Sequence, residues 1–239
     1  MAKTKTIAIS LTLLTVPLLL AAQTSAPGKK ASGQEWQKVF DVNKADLADK
    51  GINTYFILEP GYKLHYKHNN ETLVIKVLDD SKLVDGVKTR IVEERETSGG
   101  QLAEISRNYY AIDQKSKAVY YFGEDVDDYK DGKVVGHAGA WLAGVKDAKF
   151  GLMMPGEPKV GQKFYQEIAP DVAMDRSEIV SVTAKLTTPA GTFKNCLHAR
   201  EGSSLESGTS DKWYAPGVGL IKDDELVLVK IEKPVKEEK

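Results

Sequence analysis

From Thr54 onward the sequence alternates short runs of β-branched and aromatic residues with two-residue turn signals, and no other pattern in the chain restricts the fold as strongly. The runs are 54–58, 62–67, 72–78, 87–97, 101–112 and 118–129. Between them stand Pro60-Gly61, Asn69-Asn70, Asp85-Gly86, Ser98-Gly99-Gly100 and Asp131-Gly132. Such residues supply the left-handed or proline-fixed positions that tight turns need. Strands joined this closely must run antiparallel. The same text resumes over 162–168, 178–186, 192–201, 210–214, 219–222 and 225–231. Between the two halves, 136–161 is crowded with glycine, proline and apolar residues and has no clear period. A connection that long is expected to be functional or to pack as a lid. The fold expected is mostly β: a strongly curved antiparallel meander or partly closed barrel, with one short N-terminal helix and a long apolar loop. The helix is placed over 41–50, with Asp41 or Asn43 as its cap and Gly51 as its stop.

The N-terminus reads differently. Lys3 and Lys5 precede an apolar run over 7–20, followed by the small-residue stretch 21–26. These are the parts of a secretory signal peptide, and the run is short for a bilayer span. Cleavage is expected after Ala22, because a cut after Ala26 would place Pro27 beside the scissile bond. No cysteine follows the run, so no lipid anchor is expected and the mature chain should lack a stable membrane span. The expected organisation is a signal peptide over 1–22, a flexible leader over 23–35, a single antiparallel β domain over 36–232 and a frayed tail over 233–239.

Removing Lys3 and Lys5 from the 33 basic residues leaves 31 against 34 acidic ones. That near balance offers no basic footprint for nucleic acid. Cys196 is the only cysteine, so no intrachain disulfide can form; in its strand it reads as a small buried hydrophobe. Ser203-Ser204 has no nucleophile-elbow context. His65 and His68, three apart in a strand, point to opposite faces.

Four runs carry a resemblance: Tyr120-Tyr121-Phe122-Gly123-Glu124-Asp125-Val126-Asp127, Trp141-Leu142-Ala143-Gly144, Pro189-Ala190-Gly191-Thr192-Phe193, and Trp213-Tyr214-Ala215-Pro216-Gly217-Val218-Gly219-Leu220. They resemble an uncharacterised family of exported bacterial β-sheet proteins, over about 110–222. The resemblance implies a curved antiparallel sheet and a bacterial source, and it brings no activity. With the signal segment, it places the protein in the periplasm or outside the cell.

Two hairpin registers locate candidate chemistry. A type I′ turn at Asp131-Gly132 would set Lys130 opposite Lys133, Asp128 opposite Val135 and Val126 opposite His137. Glu124 and Asp128 would then be diagonal neighbours of His137, while Asp125 and Asp127 face away. A histidine between two carboxylates could hold a divalent metal or act as a general acid/base pair. The spacing is not that of an EF-hand, since Tyr129 and Ala138 stand where ligands would be needed. The second register, a hairpin centred on Lys115, sets Tyr110 opposite Tyr120 and Tyr109 opposite Tyr121. Large rings on both faces imply that both faces are covered. Tyr109, Tyr121, Trp141, Met153 and Met154 could then line a pocket for an apolar or aromatic ligand. The favoured function is a non-catalytic binding protein for such a ligand. The alternatives are a metal-binding protein or metal-dependent hydrolase using Glu124, Asp128 and His137, and a module that binds an envelope component.

Overall fold

The structure, a computed structural model, describes residues 35–234. The expected signal peptide, the leader up to residue 34 and the tail from residue 235 lie outside the described residues. No described helix is long and apolar enough to cross a membrane.

Thirteen strands of the described residues follow one another around one sheet. They are β1 (Lys63–His68), β2 (Glu71–Val84), β3 (Val87–Ser98), β4 (Gln101–Asp113), β5 (Val119–Lys130), β6 (Lys149–Met154), β7 (Lys163–Tyr165), β8 (Glu167–Ile168), β9 (Asp175–Thr188), β10 (Gly191–Ser203), β11 (Ser210–Ala215), β12 (Gly219–Asp223) and β13 (Leu226–Glu232). Their spatial order is β7-β9-β10-β11-β12-β13-β1-β2-β3-β4-β5-β6-β8. The strands Leu47–Ala48, Lys133–Gly136 and Trp141–Leu142 attach to β4 or β5, and Gly51–Asn53 pairs with Phe56–Leu58 as a separate hairpin. The turn signals act as their chemistry requires: Asp85-Gly86, Gly99-Gly100 and Asp131-Gly132 all take positive φ at both central positions, the type I′ signature.

The two ends of this path, β7 and β8, are separated in sequence by Gln166 alone. One continuous segment therefore forms both margins of the sheet, hydrogen-bonded through β7 to β9 and through β8 to β6. The sheet curls into a nearly closed barrel with a single seam. The Gln166 N–H extends the β7–β9 ladder by donating to the Asp175 carbonyl at 2.8 Å. Gly151 of β6 sits against this segment, where a Cβ would collide with the backbone of Tyr165 and Gln166.

Both faces of the sheet carry core, as the paired rings imply. Inside, Tyr110 stacks on Tyr121 with centroids 4.8 Å apart, and Phe56 meets Tyr110 edge-on. Outside, Phe122 stacks on Phe150, while Tyr120 touches Phe150 and Phe40. Cys196 is fully buried, in keeping with its reading as a packing residue.

Three details differ from the sequence-based expectation. The helix over 41–50 is only a 3₁₀ turn, Lys44–Asp46, capped by the Asn43 side chain. Leu47 and Ala48 leave the helix because their backbones pair with Asp113 and Ile112 at the end of β4. The β4–β5 hairpin is shifted by one residue, so that Tyr110 faces Tyr121 and Ala111 faces Tyr120. Its loop is four residues long: the Asp113 carboxylate accepts the amides of Lys115 and Ser116, and Lys117 closes the turn at φ 62°. Finally, the stretch 136–161 is only partly irregular. It contributes β6 and the Trp141–Leu142 strand to the free edge of β5, so this part extends the sheet instead of folding over it.

Candidate functional site

A β-strand points alternate side chains to opposite faces, so a barrel wall turns half of its side chains inward. Here the inward set encloses a cavity of about 250 Å³. Much of its lining is apolar, including Phe56, Tyr62, Leu64, Ile75, Val77 and Leu220. Two of the tyrosines that border it are anchored at their hydroxyls: Tyr62 donates to the Val218 carbonyl at 2.9 Å and Tyr121 to Asn108 Oδ1 at 2.6 Å.

Acidic residues are spread among the apolar ones. Glu94 from β3, Glu124 from β5, Glu167 from β8, Asp175 from β9, Glu201 from β10 and Asp223 from β12 all line the cavity. The one lysine on the lining is Lys212 of β11. Its ammonium is 3.1 Å from Glu201 and 3.4 Å from Asp223. Burial works against that ammonium, but Asp223 and Glu201 outweigh it and hold the lysine well above its ordinary range. Glu201 also accepts from Gln166 Nε2 at 2.9 Å. Glu167 accepts the backbone N–H of Asp175 at 2.9 Å. Glu94, Glu124, Glu167 and Asp175 have no ion-pair partner among the described residues.

The carboxyls register this imbalance. Burial pushes Glu94 up to about 7 even though Lys212 pulls it down. Burial likewise carries Glu124 up to about 8, with Glu94, Glu104 and Asp175 adding to the rise against the Tyr121 hydroxyl. Burial raises Glu167 well above the carboxylate range, and Asp175 reinforces it. Beyond the cavity, β3, β4 and β5 set Glu96 opposite Glu104 and Glu104 opposite Asp128. Like charges directly opposite destabilise a sheet. Glu104 is pushed up to about 7 by burial first, then by Glu96 and Asp128.

The sequence-predicted residues divide among several places. Tyr121 and Met153 line the cavity, and Trp141 sets its ring against the edge of Tyr121 at 5.3 Å. The Trp141 indole N–H is buried with no hydrogen-bond partner among the described residues. Tyr109 lies elsewhere, donating to the Asp125 carboxylate under the Lys82 ammonium. Met154 is buried off the cavity lining.

Glu124, Asp128 and His137 are not brought together. The turn at Asp131-Gly132 pairs Lys130 with Lys133 as expected, but a bulge after Asp128 sets that residue opposite Gly136 instead of Val135. Asp128 then accepts the amide of Ala138 at 3.0 Å. His137 donates from Nδ1 to the Val126 carbonyl at 2.7 Å, and the same nitrogen lies 3.1 Å from Asp127. The histidine thus sits with a carboxylate of the set expected on the opposite face. Among the described residues no three His, Cys, Asp or Glu side chains converge closely enough to hold a metal ion.

Lys212, Glu94, Glu201 and Asp223 were not legible in the sequence, because they come from strands far apart in the chain and share no spacing. One local signal existed: Glu94 and Glu96 continue the face of the core residue Val92, where a half-buried strand would be expected to stay apolar.

No protein-family model matches the sequence. No curated protein matches it either. Among solved structures, the chain is similar to a Bacteroides fragilis protein described as exported and as having a YmcC-like fold, at 17% identity and a TM-score of 0.39. It is also similar to a Parabacteroides distasonis protein described as a lipoprotein, at 14% identity and a TM-score of 0.37. Each match covers 76% of this chain and 100% of the other.

Proposed function

We propose that this is an exported, periplasmic or secreted, non-catalytic protein that binds a small ligand with an apolar or aromatic body inside its barrel. The observation that carries the reading is the cavity of about 250 Å³, whose apolar lining is continuous with the Tyr110–Tyr121 stack. Concave, mostly apolar sites with a few fixed polar groups are the usual form of a small-molecule pocket. The Tyr62 and Tyr121 hydroxyls are held by neighbouring acceptors, so these two rings are presented in fixed positions and need little ordering on binding. The signal segment supports the location.

The test uses phenethyl compounds of different charge, each scored by native mass spectrometry and by the change in Tm. At least one should bind in a one-to-one ratio and raise the Tm. Ile75→Trp, which fills space along the apolar lining, should abolish that shift while near-ultraviolet circular dichroism shows intact tertiary packing. Binding that is unchanged in folded Ile75→Trp would contradict the reading.

A further inference from the structure

We infer that the ligand of this cavity carries a protonated amine next to its apolar body, with the ammonium held by Glu94 and Glu124. This deepens the binding reading above and rests on it. The starting point is charge within the cavity: six carboxyls line it against a single ammonium. That ammonium is already held by Glu201 and Asp223. An anionic ligand would have to displace one of those pairs and would meet the remaining acids. A neutral ligand would leave the acids as they are.

A cation changes the balance. Glu94 and Glu124 both reach the cavity, and neither has an ion-pair partner among the described residues. A buried carboxylate without a counter-charge is costly and relieves the cost by taking up a proton. Burial first, and neighbouring carboxyls after it, raise Glu94 to about 7, against the pull of Lys212, and Glu124 to about 8. An ammonium between them would supply the missing counter-charge with charge-assisted hydrogen bonds. The position suits an amphipathic molecule: Glu94 pairs across the sheet with Ile75 of the apolar lining, and Glu124 lies one strand from the Tyr110 ring. The acids are spread around the wall without meeting as a metal-holding group. That spread fits a cation carried on a larger body better than a chelated ion.

The experiment is isothermal titration of the full chain with phenethylamine, phenethyl alcohol and phenylacetate, on the alkaline side of neutrality where the carboxyls are ionised. The amine should bind about tenfold or more tighter than the alcohol, the scale of a hydrogen bond to a charged partner, and phenylacetate should bind weakest. The double variant Glu94→Gln, Glu124→Gln removes two like charges and should remain folded, as its Tm will verify. It should bring amine affinity down to that of the alcohol measured on the same variant. Equal binding of amine and alcohol, or tightest binding of phenylacetate, would overturn the amine assignment and leave the cavity reading standing. Failure of all three probes to bind would overturn both. Retention of the amine preference by the folded double variant would overturn the role of these two acids.

Discussion

Gly151 shows how a single residue decides whether this barrel can close. The backbone of Gln166 crosses β6 so tightly at that point that even a methyl group has no space. Its neighbours there are main chain, which cannot swing aside as a flexible side chain can. Gly151→Ala should therefore lower stability by about 1–3 kcal/mol, the usual scale of overpacking, with the loss read from urea denaturation. An unchanged denaturation midpoint would mean that the seam is looser than described. At this scale the sequence was only partly readable. Tyr121 and Met153 stood out as large apolar residues in suggestive places and do line the cavity. Tyr109 did not follow, because a polar pair, Lys82 and Asp125, captures its hydroxyl on the other face. Lys212 gave no signal at all; a lone lysine in a strand is ordinarily a solvated one.

Elements were more legible than residues, because turn chemistry and strand composition are local properties. The expected strands over 87–97 and 101–112 are β3 and β4, each with one residue added. Where the reading stopped short, a distant contact is responsible. β2 continues past Leu78 through the polar run Asp79-Asp80-Ser81, which no strand propensity would extend. Arg90 makes that extension possible. Its guanidinium donates to the Asp79 carbonyl at 2.6 Å and to the Asp49 carboxylate at 2.8 Å, covering backbone groups that the local register shift leaves unpaired. Hairpin registers were the least legible feature. A bulge or a fourth loop residue shifts a register by one, and one residue exchanges the faces. Gly123, at φ 137° beside the shift between β4 and β5, is such a point: the Trp141 carbonyl lies where its Cβ would be.

For the whole molecule, the acid-lined interior sets the response to pH. Glu94, Glu104 and Glu124 have folded-state values of about 7, 7 and 8, above the 4.5 of an ordinary glutamate. Between those limits the native state binds more protons than the unfolded chain, so stability falls as pH rises. Their stabilising contribution is complete below about 4.5 and is lost as pH climbs through about 7 to 8. The Tm should thus be higher at mildly acidic pH than at mildly alkaline pH, and Glu104→Gln should flatten the slope. A Tm that rises across this range would mean that the interior carboxyls have counter-charges they are not seen to have here. The barrel was legible as a class from its alternating text. Its acidic lining was not, because the carboxyls are gathered only when β3, β5, β8, β9, β10 and β12 close around one space.

Whether the barrel interior is the binding site can be read most directly from nuclear Overhauser effects between bound phenethylamine and assigned aromatic side chains. Contacts from the phenyl protons to the rings of Tyr110 and Tyr121 are expected. Contacts instead to Trp213 and His198, the stacked pair whose rings lie 4.3 Å apart off the cavity lining, would contradict binding inside the barrel.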